Sequence, residues 1–476
     1  MRSFLLFLLL LILLFFLYCF FVRKGGCCIG RVESHDTITT KHWISWNLLF
    51  TPTSVGTSAQ VIQDFEDTLN KYVKGINPDA SLSFEFHYCP CDSLLTNIDA
   101  TLVYGSGNSV PPPPTKPNPG PSGDYTLAKN LDTYMAERSD SAINVLDSVN
   151  IKNRDAAVLI AGTTGTIFDK TLAVIDTGLD TFLYKKIYPN TIWNGNILWQ
   201  DPAKPTLFDV VLGEPNNTLI DDNEVRHGTA ATYIALSQMQ LKKMQNGQMP
   251  KIMSIRAFDK GEKGSIYTVS CALSYAIQHK ADYINASWGY YGAQDPVLRR
   301  YIKIADRASI RVIAAAGNSP IIHETAKICK KLDNDLNDLD RLDIKDSLFY
   351  PACFASTIDN VVSVTQLSPD APAVFPNAVP CYYQNYSPKY ITVGALDKNP
   401  RNDVCCTFSI PFMSRAIEGS SFATPAATGI LMSQVTSKSQ NIKLYITTHF
   451  KPTPVVGITA PTIFTNEGDF IQYIQK

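Results

Sequence analysis

The chain has 476 residues, of which 45% are hydrophobic and 18% are charged, and its formal net charge at pH 7 is −1. This length predicts two or three structural units, and the apolar content is sufficient for a full core. A nearly neutral chain offers no electrostatic basis for binding nucleic acid, which we therefore exclude as a partner.

The first predicted element is a continuous apolar run, residues 4–22, with Arg2 before it and Arg23 and Lys24 after it. A helix of this length spans about 28 Å, close to the thickness of a bilayer core. The run is longer than the apolar region of a usual signal peptide, and it does not end in small residues. We therefore favour a signal anchor in residues 1–30, with residues 4–22 in the membrane, over the alternative of a cleaved signal peptide.

Residues 36–104 are predicted to form a small α+β domain. Residues 42–50 and 82–88 have the composition of strands, and in the second stretch apolar and polar residues alternate. The intervening residues 58–73 carry apolar side chains at a helical spacing. These side chains are Val61, Ile62, Phe65, Leu69 and Val73.

A proline-rich segment, residues 105–123, separates this domain from the rest of the chain. It includes four consecutive prolines, Pro111 to Pro114, and is predicted to be an extended, semi-rigid linker. The chain that follows, residues 124–169, is predicted to be a helical lead-in to a larger domain.

From residue 172 onwards, short apolar strands alternate with helices. The strands are predicted at residues 172–175, 252–258, 283–287, 312–315 and 359–365, and the helices at 269–279, 296–308 and from 227 onwards. This alternation is typical of an α/β fold with a doubly wound, mainly parallel sheet. We predict that this α/β domain covers residues 124–440, with residues 441–476 as an unassigned C-terminal tail.

Three polar residues of this domain lie where nucleophilic catalysis would need them. Asp176 ends an apolar strand, at the edge where open parallel sheets place their active sites. His227 precedes an alanine-rich helix, and Ser421 lies among small residues at a helix start, where a plain helix cap is the alternative. A serine attacks only when a base takes its proton and a third group orients that base. The order Asp, His, Ser along the chain is the one found in subtilisin.

Four separated motifs resemble those of the subtilisin-like serine protease family, the subtilases. They lie at residues 174–178, 227–229, 312–318 and 419–425. The resemblance implies that Asp176 orients the base His227 and that Ser421 attacks the substrate. It also implies that Asn318 donates a hydrogen bond to the oxyanion.

The segment at residues 284–289 resembles the family's edge segment, which pairs with the substrate backbone and walls the specificity pocket. The resemblance implies a set of substrate-binding residues: Ser287, Trp288, Gly289, Ala315 and Gly317. An indole and a strand of small residues favour an apolar first pocket.

The chain departs from the family pattern in three places. Ala230 replaces a usual histidine, and Ser420 replaces a usual threonine while keeping the hydroxyl. The usual Ala-Pro-Gly turn is missing, and residues 386–395 stand in its place. We expect none of these departures to abolish activity.

The resemblance implies a serine endopeptidase that hydrolyses protein or peptide substrates through an acyl-enzyme intermediate. The alternative is a catalytically silent binding or scaffold protein on the same fold, which is less favoured because all three triad residues are present. An α/β-hydrolase fold is excluded, since it would place the serine before the aspartate and the histidine, with a glycine where Ala423 stands.

Catalysis of this kind requires no cofactor. Family loops often hold calcium, and a structural calcium ion near residues 213–223 or 333–343 is an alternative to ordinary solvated loops. The eleven cysteines lack zinc-type spacing, and in an exported protein some are expected to form disulfides, although their spacing does not define the pairing.

A small α+β domain before a subtilisin-like domain is either a propeptide or a plain accessory domain, and both interpretations stay open. As a propeptide, residues 36–104 would inhibit the catalytic domain of the same chain. A protease of the secretory type is expected to have its catalytic domain outside the cytoplasm. It would be anchored in the membrane, or secreted if the apolar segment is cleaved.

Overall fold

We describe the fold from a computed structural model of the chain. The residues that it describes are 41–52, 59–89, 91–105, 118–119, 125–135, 170–180, 207–209, 214–215, 221–239, 250–318, 348–369, 378–380, 384–385, 392–395, 417, 419–435, 437–449, 451–454, 462–465 and 471–474. The predicted apolar helix at residues 4–22 and the acidic segment at residues 333–343 lie outside this part of the chain.

Within the described ranges, no helix has both the length and the apolar character needed to cross a bilayer.

The strands of the N-terminal part, in chain order, are β1 (Lys41–Pro52), β2 (Ser81–Cys89), β3 (Asp92–Gly105), β4 (Asn118–Pro119), β5 (Tyr125–Lys129) and β6 (Asp132–Met135). Those that follow are β7 (Thr171–Asp176), β8 (Leu207–Asp209), β9 (Glu214–Pro215), β10 (Lys251–Arg256), β11 (Lys263–Ser265), β12 (Tyr283–Ala286), β13 (Trp288–Tyr291), β14 (Arg311–Ala315), β15 (Phe349–Tyr350), β16 (Val361–Pro369), β17 (Ala378–Pro380), β18 (Val393–Ala395), β19 (Lys451–Pro454), β20 (Thr462–Thr465) and β21 (Ile471–Ile474).

The α-helices are α1 (Ala59–Ile76), α2 (His227–Gln238), α3 (Ile266–Gln278), α4 (Pro296–Arg307), α5 (Ser420–Gln434) and α6 (Ile442–His449). A short 3₁₀ helix spans Ala352–Ser356.

Strands β1 to β5 form one antiparallel sheet in the order β2-β3-β1-β5-β4. Helix α1 packs on this sheet, because Leu69 and Val73 share a buried cluster with Ile98, Ala100 and Leu102 of β3. The two apolar positions one helical turn apart therefore face the sheet, as their spacing predicts. We call β1 to β5 together with α1 the N-terminal sheet unit.

The region after the proline-rich segment differs from its prediction. A helical lead-in is predicted from residue 124, but residues 125–129 form β5, which pairs antiparallel with β1 from Leu48↔Lys129 to Pro52↔Tyr125. Residues 132–135 form the further strand β6. These residues become strands because distant partners offer their backbone hydrogen bonds, which a pattern of local residues does not reveal. Part of the region predicted as the α/β domain thus belongs to the N-terminal sheet.

The larger sheet contains a block of parallel strands in the order β18-β16-β14-β12-β7-β10. The short strand β8 extends this block in parallel beside β10, while β21 pairs antiparallel with β18 at the opposite side. The predicted α/β architecture with a mainly parallel sheet is confirmed. The strand bounds agree with the predicted ones to within about four residues, which is usual for element ends.

Helices cover both faces of the parallel block. Ala173 and Ile175 of β7 belong to a buried cluster that includes residues of α3 and α4. Leu172 and Val174 belong to a second cluster, which includes residues of α2 and α5. Side chains alternate between the faces of a strand, so β7 contributes to two cores at once. Full burial of one aliphatic side chain contributes about 1.5–3 kcal/mol.

Helices α2 and α5 approach each other closely at Gly429. A Cβ atom built on Gly429 would lie 2.0 Å from the carbonyl oxygen of Ala235. The absence of a side chain at this position therefore sets the distance between the helix that begins at His227 and the helix that carries Ser421.

We expect Gly429→Ala to lower the free energy of unfolding by about 1–3 kcal/mol, because the added methyl group forces the two helices apart. Thermal denaturation followed by circular dichroism measures the effect. The matched control is Gly75→Ala in the last turn of α1, where an added Cβ meets nothing within 4 Å. Alanine should stabilise that position by about 0.5–1 kcal/mol. Equal melting temperatures for the two variants would contradict the close approach of α2 and α5.

Candidate active site

The centre of the candidate site is a buried pair, Asp176 and His227. Asp176 is the last residue of β7, at the carboxyl edge of the parallel sheet, and His227 is the first residue of α2. Nδ1 of His227 lies 2.8 Å from Oδ1 of Asp176, and both residues are fully buried. The backbone N–H of Thr177 donates to the same carboxylate oxygen at 2.8 Å. The two sequence-predicted residues are thus in direct contact.

Two opposing effects set the pKa of His227. Burial lowers it, because a charged imidazolium loses its hydration. The Asp176 carboxylate raises it through its charge and its hydrogen bond, with smaller contributions in the same direction from Glu262 and Asp221. The net effect raises the pKa of His227 above its ordinary value of 6.5.

A second buried carboxylate, Asp221, forms hydrogen bonds with residues that lie next to this pair in the sequence. One oxygen accepts a hydrogen bond from Thr177 Oγ1 at 2.9 Å. The other accepts from both the N–H and the hydroxyl of Thr229, at 2.9 and 2.8 Å. Because Thr177 follows Asp176 and Thr229 lies two residues after His227, Asp221 ties the two motifs together. Burial raises the pKa of Asp221 to about 6.

Sequence reasoning missed this role for Asp221, which lies in the loop considered for calcium. The only local signal was its closeness in sequence to His227. Neighbouring polar side chains also have protein partners: Asn223 Oδ1 accepts from the backbone N–H of His227 at 3.1 Å, and Asp222 pairs with Arg256 at 2.8 Å.

Ser421 lies in the first turn of α5, which begins at Ser420. Pro425, four residues later, has no N–H to donate to the Ser421 carbonyl, as an ordinary helical residue would. The hydroxyl of Ser287 supplies that hydrogen bond instead, at 2.7 Å. Asn285 Nδ2 donates in turn to Ser287 Oγ at 2.9 Å. The predicted substrate-binding residue Ser287 therefore also fixes the backbone of Ser421.

The helix of Ser421 lies alongside the histidine. The ring of Phe422, the next residue, contacts the ring of His227 with 4.6 Å between centroids. Ser421 Oγ is buried and has no hydrogen-bond partner within the part of the chain that the structure describes. A hydrogen bond from Ser421 to His227 is thus not formed here, although catalytic hydrogen bonds are often long before substrate binds.

Asn318 lies beside the start of α5, and its side-chain oxygen is held by three donors. Ser420 donates to it through both its backbone N–H and its hydroxyl, each at 3.1 Å. Gln384 Nε2 donates at 2.7 Å. Because these hydrogen bonds orient the side-chain oxygen toward Ser420 and Gln384, the amide nitrogen of Asn318 points away from them. The serine at position 420 supplies the hydroxyl for which the family usually uses threonine.

Gln384 is a second residue that sequence reasoning missed. It is fully buried and forms an isolated bridge with Asn318, 66 residues away in the chain. Its side-chain oxygen accepts from the N–H of Gln366 at 3.4 Å, and Gln366 accepts from the N–H of Gly419 at 2.6 Å. Two glutamines thus connect Asn318 with the residue just before α5. Nothing in the local sequence indicates this connection.

The other predicted substrate-binding residues lie around the same place. Trp288 and Ala315 are fully buried, and the Trp288 ring lies 6.0 Å from that of Phe258. Gly289 and Gly317 are both crowded: an added Cβ would lie 2.3 Å from Phe349 at Gly289 and 2.7 Å from Asn385 at Gly317. These two positions therefore exclude larger residues.

Strand β6 lies beside this segment, in a small sheet of order β11-β6-β13-β15. It pairs antiparallel with β13 through Met135↔Trp288 and Tyr134↔Gly289. It also pairs antiparallel with β11 on its other side. The chain's own residues 132–135 therefore occupy the position beside the predicted substrate-pairing edge.

A family model described as the subtilase family matches residues 169–447, more than half of the chain. The chain belongs to the subtilase family. Membership of this family supports serine peptidase function and peptide or protein substrates. A comparison with curated protein sequences found no match.

Among solved structures, the chain is similar to fervidolysin from Fervidobacterium pennivorans, a keratinolytic enzyme related to subtilisin, with 14% identity and a TM-score of 0.46. That match covers 86% of this chain but 58% of the fervidolysin chain. It is also similar to a cold adapted subtilisin-like serine proteinase, with 16% identity, a TM-score of 0.38 and coverage of 69% of this chain and 96% of that one. At these identities and TM-scores, the individual properties of those proteins do not extend to this chain.

We expect the pKa of His227 to lie above 6.5 and to fall in Asp176→Asn, because burial is then opposed only by the smaller contributions of Glu262 and Asp221. NMR titration of the histidine ring resonances measures both values. Asp222→Asn is the control, since that carboxylate pairs with Arg256 and should leave the pKa of His227 unchanged. A pKa that is the same in the native chain and in Asp176→Asn would show that the pair is not electrostatically coupled.

Proposed function

We propose that this chain is a serine endopeptidase in which Ser421, His227 and Asp176 form the catalytic triad. The observation that carries the proposal is the buried hydrogen bond of 2.8 Å between His227 Nδ1 and Asp176. It leaves Nε2 as the ring atom that can accept a proton, which is the atom that a general base uses in such a triad.

In this mechanism the Ser421 hydroxyl attacks the scissile carbonyl while His227 accepts its proton. The resulting imidazolium is stabilised by Asp176, which is consistent with the raised pKa of His227. His227 then protonates the leaving amine, and water hydrolyses the acyl-enzyme by the same route. His227 must be neutral to act as a base, so activity should fall as the pH decreases. Because the pKa of His227 is raised, this loss should begin at a pH above the ordinary histidine pKa of 6.5.

Two groups would donate to the oxyanion of the tetrahedral intermediate. One is the amide nitrogen of Asn318, whose oxygen is held by Ser420 and Gln384. The other is the backbone N–H of Ser421, in the first turn of α5, where amides have no partner within the helix. Removal of one such donor typically costs about 2.7–4 kcal/mol of transition-state stabilisation.

The alternative is a catalytically silent binding protein on the same fold. It has less support, because the triad residues are all present and because two of them already form a buried, polarised pair. A protein that only binds has no need to bury a histidine against a carboxylate, since the burial of these groups costs free energy.

The test is reaction of the purified chain with a fluorophosphonate, which labels activated serine hydroxyls covalently. We expect labelling of the native chain and complete loss of labelling in Ser421→Ala. Ser433→Ala is the matched control, because Ser433 lies in the same helix and its hydroxyl donates to the carbonyl of Ile430 at 2.7 Å. Hydrolysis of an internal bond in a denatured protein substrate then distinguishes an endopeptidase from an exopeptidase.

Equal labelling of the native chain and Ser421→Ala would refute Ser421 as the nucleophile. Absence of labelling in the native chain and also in the variant Met135→Asp would favour the silent alternative.

We further propose that the N-terminal part of the chain inhibits this site. The propeptide interpretation of residues 36–104 implies such inhibition, and the supporting contact comes from the strand that follows them, β6. Bound peptides commonly add as an extended strand to an exposed sheet edge. Strand β6 does so between β11 and β13, beside the predicted substrate-binding residues Trp288 and Gly289. An external peptide would have to displace it.

The two faces of β6 allow a sharp test of this inhibition. Met135 is 6% exposed, whereas Tyr134 is 47% exposed. We expect Met135→Asp to raise the rate of fluorophosphonate labelling at least tenfold, because a buried charge without a partner expels the strand. Tyr134→Asp introduces the same charge on the solvent side and should change the rate less than twofold. Unchanged labelling in both variants would mean that β6 does not block the site.

We propose that residues 4–22 anchor the chain in a membrane with the catalytic domain outside the cytoplasm, or direct its secretion if they are removed. A structural calcium ion remains a proposal for the loop at residues 213–223. Catalysis itself is proposed to proceed without a cofactor.

A further inference from the structure

A cluster of three cysteines lies outside the candidate active site. Cys89 at the end of β2 and Cys271 in α3 form a disulfide, and both are buried. Cys91 is a free, partly buried thiol. The three sulfur atoms lie within 4.8 Å of one another. A disulfide and a free thiol are therefore in contact range, at a place where two parts of the fold meet.

The disulfide joins the N-terminal sheet unit to the helix layer of the parallel sheet. Adjacent hydrogen bonds cross the same boundary. Gln278 of α3 donates to the carbonyl oxygen of Cys91, and the Tyr301 hydroxyl of α4 donates to Asp92 at 2.5 Å. The segment that starts at Cys89 is thus docked on α3 and α4 by polar contacts as well as by the covalent bond.

The positions of Cys89 and Cys271 in the sequence determine which fragments the disulfide holds together after a backbone cut. Cys89 and Cys271 are 182 residues apart, and the chain between them contains the proline-rich segment, strand β6, Asp176 and His227. Any single backbone cut within this interval leaves two fragments that are still joined. A cut between β6 and Asp176 would therefore leave the N-terminal sheet unit covalently joined to the rest of the chain.

We propose that Cys89–Cys271 is a covalent tether that keeps the N-terminal sheet unit at the protease after the chain is cut, and that thiol–disulfide exchange opens it. The conclusion that the tether maintains inhibition rests on the proposed function. The existence of the tether does not, because it depends only on which cysteines form the disulfide.

The Cys89–Cys271 disulfide can be opened by two routes. An external dithiol attacks the disulfide, leaves two cysteine thiols and becomes a cyclic disulfide. Alternatively, the Cys91 thiolate attacks the sulfur of Cys89, a Cys89–Cys91 bond forms, and Cys271 leaves as a thiolate that takes up the proton lost by Cys91. The second route needs no oxidant or reductant.

The surroundings of Cys91 keep the internal route slow at neutral pH. Burial and the charge of Asp92 raise the pKa of Cys91 to about 12, so few molecules carry the thiolate. The other titratable groups that face it are the phenols of Tyr267 and Tyr275 on α3 and of Tyr301 on α4. Burial raises the pKa of each phenol, so none supplies a positive charge that would favour the thiolate.

The experiment uses the full chain with a recognition sequence for a site-specific protease inserted after Asp140, so that the N-terminal sheet unit and β6 lie on the same fragment. After cutting, we expect one species on a non-reducing gel and two fragments after treatment with dithiothreitol. Cys271→Ser should give two fragments without reductant. Cys353→Ser is the matched control, because Cys353 is also buried but is a free cysteine, and its fragments should stay joined until reduced.

Peptide mapping tests the exchange route. After incubation of the cut chain at pH 9 without reductant, we expect a Cys89–Cys91 linkage with a free Cys271 thiol, and no such product in Cys91→Ser. A map that retains only Cys89–Cys271 at pH 9 would overturn the role of Cys91. Separation of the cut native chain without reductant, or recovery of three free thiols with bound zinc, would overturn the tether.

Fluorophosphonate labelling of the same samples separates the two proposals. If labelling is absent from every form while the gel shows retention, the tether stands and the proposed peptidase function fails. If reduction separates the fragments and raises labelling at least tenfold over the cut, unreduced chain, the tether also controls access to the site.

Discussion

The candidate site depends on the stabilisation of one buried negative charge, the carboxylate of Asp176. A carboxylate without hydration is costly unless donors surround it. Here the Thr177 amide and the His227 ring converge on a single oxygen, at 2.8 Å each. Because this pairing is what favours a protonated His227 despite burial, the same contact that stabilises the charge also increases the basicity of the imidazole. Structure and proposed chemistry therefore rest on one hydrogen bond.

The parallel sheet makes this contact possible between residues that are 51 positions apart. Strand β7 lies inside the parallel block, so Asp176 emerges at the carboxyl edge, where α2 begins at His227. Helix α5 packs closely on α2 at Gly429, which has no side chain. The Ser287 hydroxyl donates to the Ser421 carbonyl, to which Pro425 has no N–H to donate. Small local features thus align three elements that are remote in sequence.

These relations explain which parts were predictable from the sequence. Strand β7 and helix α5 were predictable because a run of apolar or small residues with polar ends is a local signal. Asp221, Gln384 and strand β6 were not, since each acquires its role from partners that are remote in sequence. Tyr134, for example, falls in the predicted helical lead-in, and only its pairing with Gly289 shows that it belongs to a strand. The disulfide of Cys89 depends likewise on three-dimensional proximity, which cysteine spacing does not encode.

The same distant contacts attach the N-terminal sheet unit through bonds of different strength. Strand β6 contributes exchangeable backbone bonds that a peptide can replace. Asn130 forms a buried bridge, since its nitrogen donates to Asn97 Oδ1 at 2.9 Å and its oxygen accepts from the Tyr267 N–H at 3.0 Å. The disulfide alone persists through local unfolding. An attachment that survives local opening keeps the unit at a high effective concentration. In the proposed inhibition, β6 would therefore rebind after each displacement, and the strand itself would not need to bind tightly while the covalent bond remains.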